Sequence, residues 1–223
     1  MKTIAVIPAA GSGRRLGTRT KKPFVLLGGK PVISYALKTL NGCKSIDAII
    51  VASERSCIAK VENIAKRFGI DKLIGVVAGG KTRFKSVRNC LKKIGPSFDI
   101  VLIHDAARPF VDEDTIERSI AAAKKFGASV VAVRESDTVK LSDGRFFVAK
   151  TLDRRKIFRA QTPQVFRYSI AKKAFARAGS ASGLTDDASI AERIGTRVRI
   201  VEGSYGNIKI TTKEDMSFAK GLL

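Results

Sequence analysis

The sequence predicts an α/β protein whose mostly parallel sheet carries helices on both faces, and three observations carry that prediction. Short runs rich in Val, Ile and Leu recur along the chain without the polar alternation of a one-sided sheet. Amphipathic stretches of helical period separate them. The chain has 223 residues, 44% hydrophobic and 28% charged, which supplies a packed core and excludes a disordered segment or a disulfide-stapled miniprotein.

Residues 3–7, 48–52, 73–77, 100–104 and 129–133 read as buried strands. Between them, 31–40 reads as a helix with proline in its first turn, closing near Asn41-Gly42. The stretch 54–68 sets Ile58, Val61, Ile64, Ala65 and Phe68 on one stripe and stops at Gly69. Helix 82–94 ends at Gly95-Pro96 and helix 113–126 at Gly127. Strand and helix alternating in this rhythm imply a parallel, Rossmann-like sheet. The rhythm breaks near Glu135, where short runs around Ser142-Asp143-Gly144 predict a hairpin or extended arm within 136–163. Helices near 168–178 and 186–194, a strand at 197–202 and a helix from about Lys213 complete the reading. It is one domain over 1–223, with a projecting β-arm at about 136–160.

Lys and Arg number 42 against 20 Asp and Glu, a net charge of +22 that attracts anions without saying which. Cys43, Cys57 and Cys90 are odd in number and lack C-x-x-C spacing, and with one histidine there is no zinc pattern. They read as buried thiols of a reducing cytoplasm. The amino terminus opens like a signal peptide, but its apolar run is short, contains Pro8 and ends in glycines and arginines. No stretch reaches the roughly 18 apolar residues of a membrane span. A soluble cytoplasmic protein is expected.

Ligands of open α/β sheets bind beyond the carboxyl ends of strands. The first such end reads Pro8-Ala9-Ala10-Gly11-Ser12-Gly13-Arg14-Arg15-Leu16-Gly17. Small residues admit a ligand to the backbone, and Arg14, Arg15, Arg19, Lys21, Lys22 and Lys30 follow with no acid among them. That composition suits a polyphosphate. A dinucleotide fingerprint fails because Leu16 stands at its third glycine, and the spacing of a Walker loop is missing.

Pro8-Ala9-Ala10-Gly11-x-Gly13-x-Arg15-Leu16, with Lys22 seven residues on, resembles the signature of the nucleotide-diphospho-sugar transferase type of nucleotidyltransferase. Six further motifs extend the likeness nearly end to end: the run from Gly79-Gly80-Lys81-Thr82-Arg83 to Val87, His104-Asp105-Ala106-Ala107-Arg108-Pro109, Asp137-Thr138-Val139-Lys140 with Leu152-Asp153-Arg154, Gln161-Thr162-Pro163-Gln164, Thr185-Asp186-Asp187-Ala188-Ser189 and Asn207-Ile208-Lys209-Ile210-Thr211. In that order they resemble the 2-C-methyl-D-erythritol 4-phosphate cytidylyltransferase family.

The resemblance implies transfer of a cytidylyl group from CTP to a polyol phosphate, with catalysis by positioning and charge neutralisation. It implies that Arg15 and Lys22 stabilise the transition state, that backbone at Ala9, Ala10, Gly11 and Gly13 holds CTP, and that Gly80 and Ser86 read cytosine beside Ala106. Asp105 orients an acceptor hydroxyl or the ribose, with a place near the metal as the alternative, and Thr138, Arg154, Thr162 and Thr185 bind the acceptor. Lys209, in a strand-like segment, completes the cationic site, and Arg154 and Lys209 count with the catalytic groups. Thr185 serves alternatively as a helix N-cap, and Arg83 either braces its loop or touches ligand. His104 is a packed strand-end residue, because a phosphate acceptor is already ionised and needs no base. Pro23 biases Lys22 toward extended backbone. The resemblance further implies Mg2+ held mainly through the CTP phosphates, without protein ligands, and a homodimer whose arms cross. Two rivals are weaker: a ribitol-5-phosphate cytidylyltransferase, disfavoured by the Asp105, Arg154 and Thr185 motifs, and a nucleic-acid-binding module. The second lacks any zinc-finger or helix-turn-helix pattern, and aromatics are only 7%. Neither specific nucleic-acid binding nor membrane association is expected.

Overall fold

A computed structural model of the chain describes residues 1–11, 20–179 and 185–223. Its seven-stranded sheet has the order β11-β7-β10-β6-β1-β4-β5. The strands are β1 (Thr3–Pro8), β4 (Ala48–Ser53), β5 (Leu73–Ala78), β6 (Ile100–Ile103), β7 (Ala128–Arg134), β10 (Phe158–Arg167) and β11 (Arg199–Glu202). β1 pairs in parallel with β4 and β6, β4 with β5, and β7 with β11. The chain leaves β1, builds outward to β5 and returns on the other side as β6, which opens a crevice at the carboxyl ends of these strands.

Near-continuous apolar strands bury both faces because their side chains alternate sides. Ala5, Ile7, Ile49, Val51 and Leu102 pack on one face against α1 (Val32–Gly42), α2 (Ile58–Arg67) and α4 (Glu113–Phe126). Ile4, Val6, Ile50, Val101 and Ile103 pack on the other against α3 (Arg83–Lys93), α5 (Tyr168–Arg177) and α6 (Asp187–Glu192). A satellite cluster joins Leu27 and Val32 to Ile210 and to Ala219 of α7 (Lys213–Gly221), with Ile208 packed against it. Helix ends follow local chemistry. Thr82 caps α3 and Asp112 caps α4, each side chain accepting a first-turn N–H, and Gly127 closes α4 at φ 93°.

Several expectations are corrected. The strand at 73–77 was expected to be buried, but β5 is a half-exposed sheet edge with a neighbour on one side only. The arm is smaller than expected: its ladder joins β8 (Lys140–Ser142) to β9 (Val148–Thr151), all seven residues exposed. The chain then re-enters the main sheet as β10, antiparallel between β6 and β7, where the arm was expected to continue. This strand is hard to see because Gln161, Thr162 and Pro163 interrupt its apolar character. They fall at the irregularity between Ala160 and Gln164, where a proline costs no ladder hydrogen bond. Lys22 is not extended. It opens a 3-10 turn, Lys22–Phe24, fed by the extended Lys21, and β2 (Leu26–Leu27) and β3 (Lys30–Pro31) form a short hairpin after it. Lys209 lies in an irregular stretch, not a strand, tied to the sheet's end by the Ile210 N–H donating to the Ala107 carbonyl at 2.9 Å.

Candidate active site

Three strand ends meet at the crevice. Ala9, Ala10 and Gly11 follow β1, Gly79 and Gly80 follow β5, and Asp105, Ala106 and Ala107 lie just past β6. With Lys22, Arg83, Ser86 and Lys209 they line a cleft of about 770 Å³, large enough for a nucleotide. The glycines are there for space. A Cβ on Gly79 would lie 2.3 Å from the Ala10 Cβ, and one on Gly80 would lie 2.3 Å from the Lys85 Cβ. Ser86 is buried and shapes this loop from beneath: its Oγ donates to the Thr82 carbonyl and accepts from the Gly80 N–H at 3.1 Å.

Four charges form a chain along the floor. Lys209 Nζ lies 2.6 Å from Asp105 Oδ2, Asp105 Oδ1 lies 2.7 Å from Arg83 Nε, and Arg83 Nη1 lies 2.7 Å from Asp187 Oδ2. Burial pushes the Asp105 carboxyl up, but the charges of Arg83 and Lys209 together outweigh it and hold the group well below the ordinary carboxylate range. For Asp187 burial wins over the single guanidinium, and its pKa is raised. Arg83 bridges these two carboxylates and also lines the cleft. His104 is fully buried, its Nε2 3.0 Å from the Arg108 carbonyl and its Nδ1 3.1 Å from the Thr162 hydroxyl. Burial pushes its pKa down to about 4, so the ring is neutral near pH 7.

Of the expected acceptor residues, Asp105 and Lys209 line this cleft, while Thr138, Arg154, Thr162 and Thr185 are not among its lining residues within one chain. Thr138 and Arg154 are exposed on the arm, where Arg154 Nη1 donates to the Ser136 carbonyl at 2.7 Å. The Thr162 hydroxyl is buried and engaged by the Asp105 N–H and His104, so it holds Asp105 in place, and Thr162 is not among the residues that line the cleft. Thr185 is exposed and is not the N-cap; Asp186 caps α6 by accepting the Ser189 N–H at 2.9 Å. Arg15 and Gly13 lie outside the described residues.

A family model described as 2-C-methyl-D-erythritol 4-phosphate cytidylyltransferase matches residues 3–223. The chain belongs to that family. A cytidylyltransferase of this name from Syntrophus aciditrophicus is 42% identical over 224 residues, covering 100% of this chain and 96% of its own. One from Geobacillus thermodenitrificans is 41% identical, covering 98% of this chain and 96% of its own. The crystal structure of 4-diphosphocytidyl-2C-methyl-D-erythritol synthase from Anaerococcus prevotii superposes with a TM-score of 0.88 at 33% identity, covering 99% and 97% of the two chains. The cytidylyltransferase of Francisella tularensis superposes at 0.82 and 35%, covering both chains completely.

Reading the motifs for ligand contacts misses the residues of this cytidylyltransferase that set its geometry. Asn207 donates from Nδ2 to Gln161 Oε1 and to the Thr162 carbonyl, and its own carbonyl accepts from Arg108 Nη1 at 2.6 Å. These bonds fix the backbone from which Lys209 reaches the cleft. Asp187 is the other omission. Both residues stand inside quoted motifs, yet only the fold reveals their partners. Among the described residues the two carboxylates that line the cleft are paired with cations, Asp105 as above and Glu54 with Lys21 at 2.5 Å.

Proposed function

We propose that this chain transfers the cytidylyl group of CTP to 2-C-methyl-D-erythritol 4-phosphate, giving 4-(cytidine 5'-diphospho)-2-C-methyl-D-erythritol and pyrophosphate, in non-mevalonate isoprenoid biosynthesis. The observation that carries it is the convergence of Lys22, Lys209 and the small-residue loops of Ala9–Gly11 and Gly79-Gly80 on one cleft of a family member. An acceptor phosphate oxygen attacks the α-phosphorus as the bond to the β-phosphate oxygen breaks, and the electron pair leaves on pyrophosphate. The attacking oxygen is already an anion, so no proton has to be removed, which agrees with a buried, neutral His104.

The residues divide the work. Backbone at Ala9, Ala10 and Gly11 faces the triphosphate, the Gly80 loop propped by Ser86 faces the base beside Ala106, and Asp105 turns toward a sugar hydroxyl. Lys22 and Lys209, with Arg15 by motif, neutralise charge growing on the equatorial oxygens. Thr138 and Arg154 reach an acceptor in the partner's cleft across a homodimer, and Thr185, just ahead of the α6 cap, borders the acceptor. Magnesium bound to the CTP phosphates supplies further neutralisation. Three buried, unpaired cysteines suit a reducing cytoplasm. The deciding experiment is pyrophosphate release with each of the four nucleoside triphosphates and both polyol phosphates. CTP with the methylerythritol phosphate is expected to be fastest, and a preference for ribitol 5-phosphate would overturn the choice of acceptor.

A further inference from the structure

Asp187 occupies the first turn of α6 with its side chain 1% exposed. Its carboxylate is not needed to start that helix. Asp186 makes the cap, and Gln164 of β10 secures the same turn by donating to Asp186 Oδ2 and accepting the Ala188 N–H. Neither Asp187 Oδ1 nor Oδ2 has a hydrogen-bond partner among the described residues, and Oδ2 forms an ion pair with Arg83 Nη1 at 2.7 Å. Keeping a carboxylate in such a place is costly, and its counter-charge is a guanidinium at the edge of the cleft.

That guanidinium is held from two sides, by Asp187 through Nη1 and by Asp105 through Nε. The guanidinium is hydrogen-bonded to Asp105 at Nε and ion-paired with Asp187 at Nη1, so the position of Asp105 depends on α6 as well as on its own strand. Asp105 in turn carries Lys209 on its other oxygen. Two cations and two anions balance in this chain. Without the Asp187 charge one cation is in surplus, Arg83 is left with Asp105 alone, and Asp105 is drawn off Lys209. We propose that Asp187 is a positioning residue for cytidylyl transfer, acting through Arg83 and Asp105 to hold the Lys209 ammonium at the cleft. This assignment rests on the function proposed above.

The test is a double-mutant cycle on the full-length chain, with pyrophosphate release as readout and thermal melting as the check on folding. Asp187→Asn keeps the shape and removes the charge; Lys209→Gln removes the group at the end of the chain. Asp187→Asn is expected to lower kcat/KM by about tenfold to 10²-fold, the scale of a misplaced reacting group. In the Lys209→Gln background the same change is expected to cost less than about twofold, the tolerance of independent sites. A role in stability alone would let the two losses multiply, and that result, or wild-type kcat/KM in Asp187→Asn, overturns the proposal. Should Asp187→Asn not fold, Arg83→Lys enters the same cycle, because it keeps the charge and abolishes the bridge between the carboxylates. The same non-multiplying outcome supports the proposal and multiplication defeats it. An inactive wild-type chain would instead refute the reaction itself.

Discussion

His104 makes the residue-scale case for separating burial from catalysis. It is the one histidine of the chain, it sits at a strand end beside Asp105, and its pKa is pushed down to about 4 by burial. In the unfolded chain a histidine takes up its proton near pH 6.5. Below that pH the unfolded state binds a proton that the native state refuses, so stability is full above it and declines as pH falls toward 4. Urea unfolding at pH 7 and pH 5 is expected to differ by about 2 kcal/mol from this group, the native state being weaker at the lower pH; equal midpoints would refute the neutral buried ring. Lys22 makes the opposite case. It is half-buried at the lip of the cleft on a 3-10 turn anchored by buried Pro23 and Phe24. Lys22→Ala is expected to cut kcat on the order of 10²-fold, the cost of one charge stabiliser, while the melting temperature stays near wild type.

At the scale of elements, the loops after β1 and β5 work as a pair. Gly79 donates its N–H to the Ser53 carbonyl at 2.7 Å, which brings it so near Ala10 that any Cβ would collide. Gly79→Ala must therefore displace the Ala9–Gly11 turn. Overpacking of this kind costs about 1–3 kcal/mol, and because it falls on a ligand-facing loop it is expected chiefly as weaker CTP binding, about 5- to 100-fold. Calorimetric titration with CTP checks this, and an unchanged affinity would show that the turn gives way freely. β10 governs the other half of the cleft. It enters the sheet antiparallel, and its irregularity aims Gln161 and Thr162 at Asn207 and Asp105.

Over the whole molecule, Thr138 and Arg154 stand apart from the cleft of their own chain, although Arg154 is expected among the catalytic groups. Arg154 and Thr138 stand on an exposed arm whose tip displays Phe146 and Phe147, while Lys22 and Lys209 line the cleft. If arms cross a symmetric dimer, a Lys22→Ala chain and an Arg154→Ala chain repair one site when they pair. Co-expression of the two inactive variants is expected to restore about a quarter of wild-type activity, since half the dimers are mixed and each has one sound site. No recovery in a proven mixed dimer would place Arg154 beside the cleft of its own chain.

Much of the architecture is already decided by the sequence. Runs of branched apolar residues broken at glycine and proline specify β1, β4, β6 and β7 and the helices between them, because burial on both faces depends on local pattern alone. The motifs that line the cleft are legible for the same local reason, since each is a strand end and the turn that follows it. Tertiary structure decides everything that depends on a distant partner. β10 has too little apolar character to announce itself and becomes a strand because β6 and β7 flank it. Asp187 and Asn207 look like ordinary polar residues until the fold sets them beside Arg83 and Thr162. A charge or an amide takes its role from whatever lies within about 3 Å of it, and residues 45 positions apart, as Asn207 and Thr162 are, or farther, as Asp187 and Arg83 are, reach that distance only when the sheet has formed.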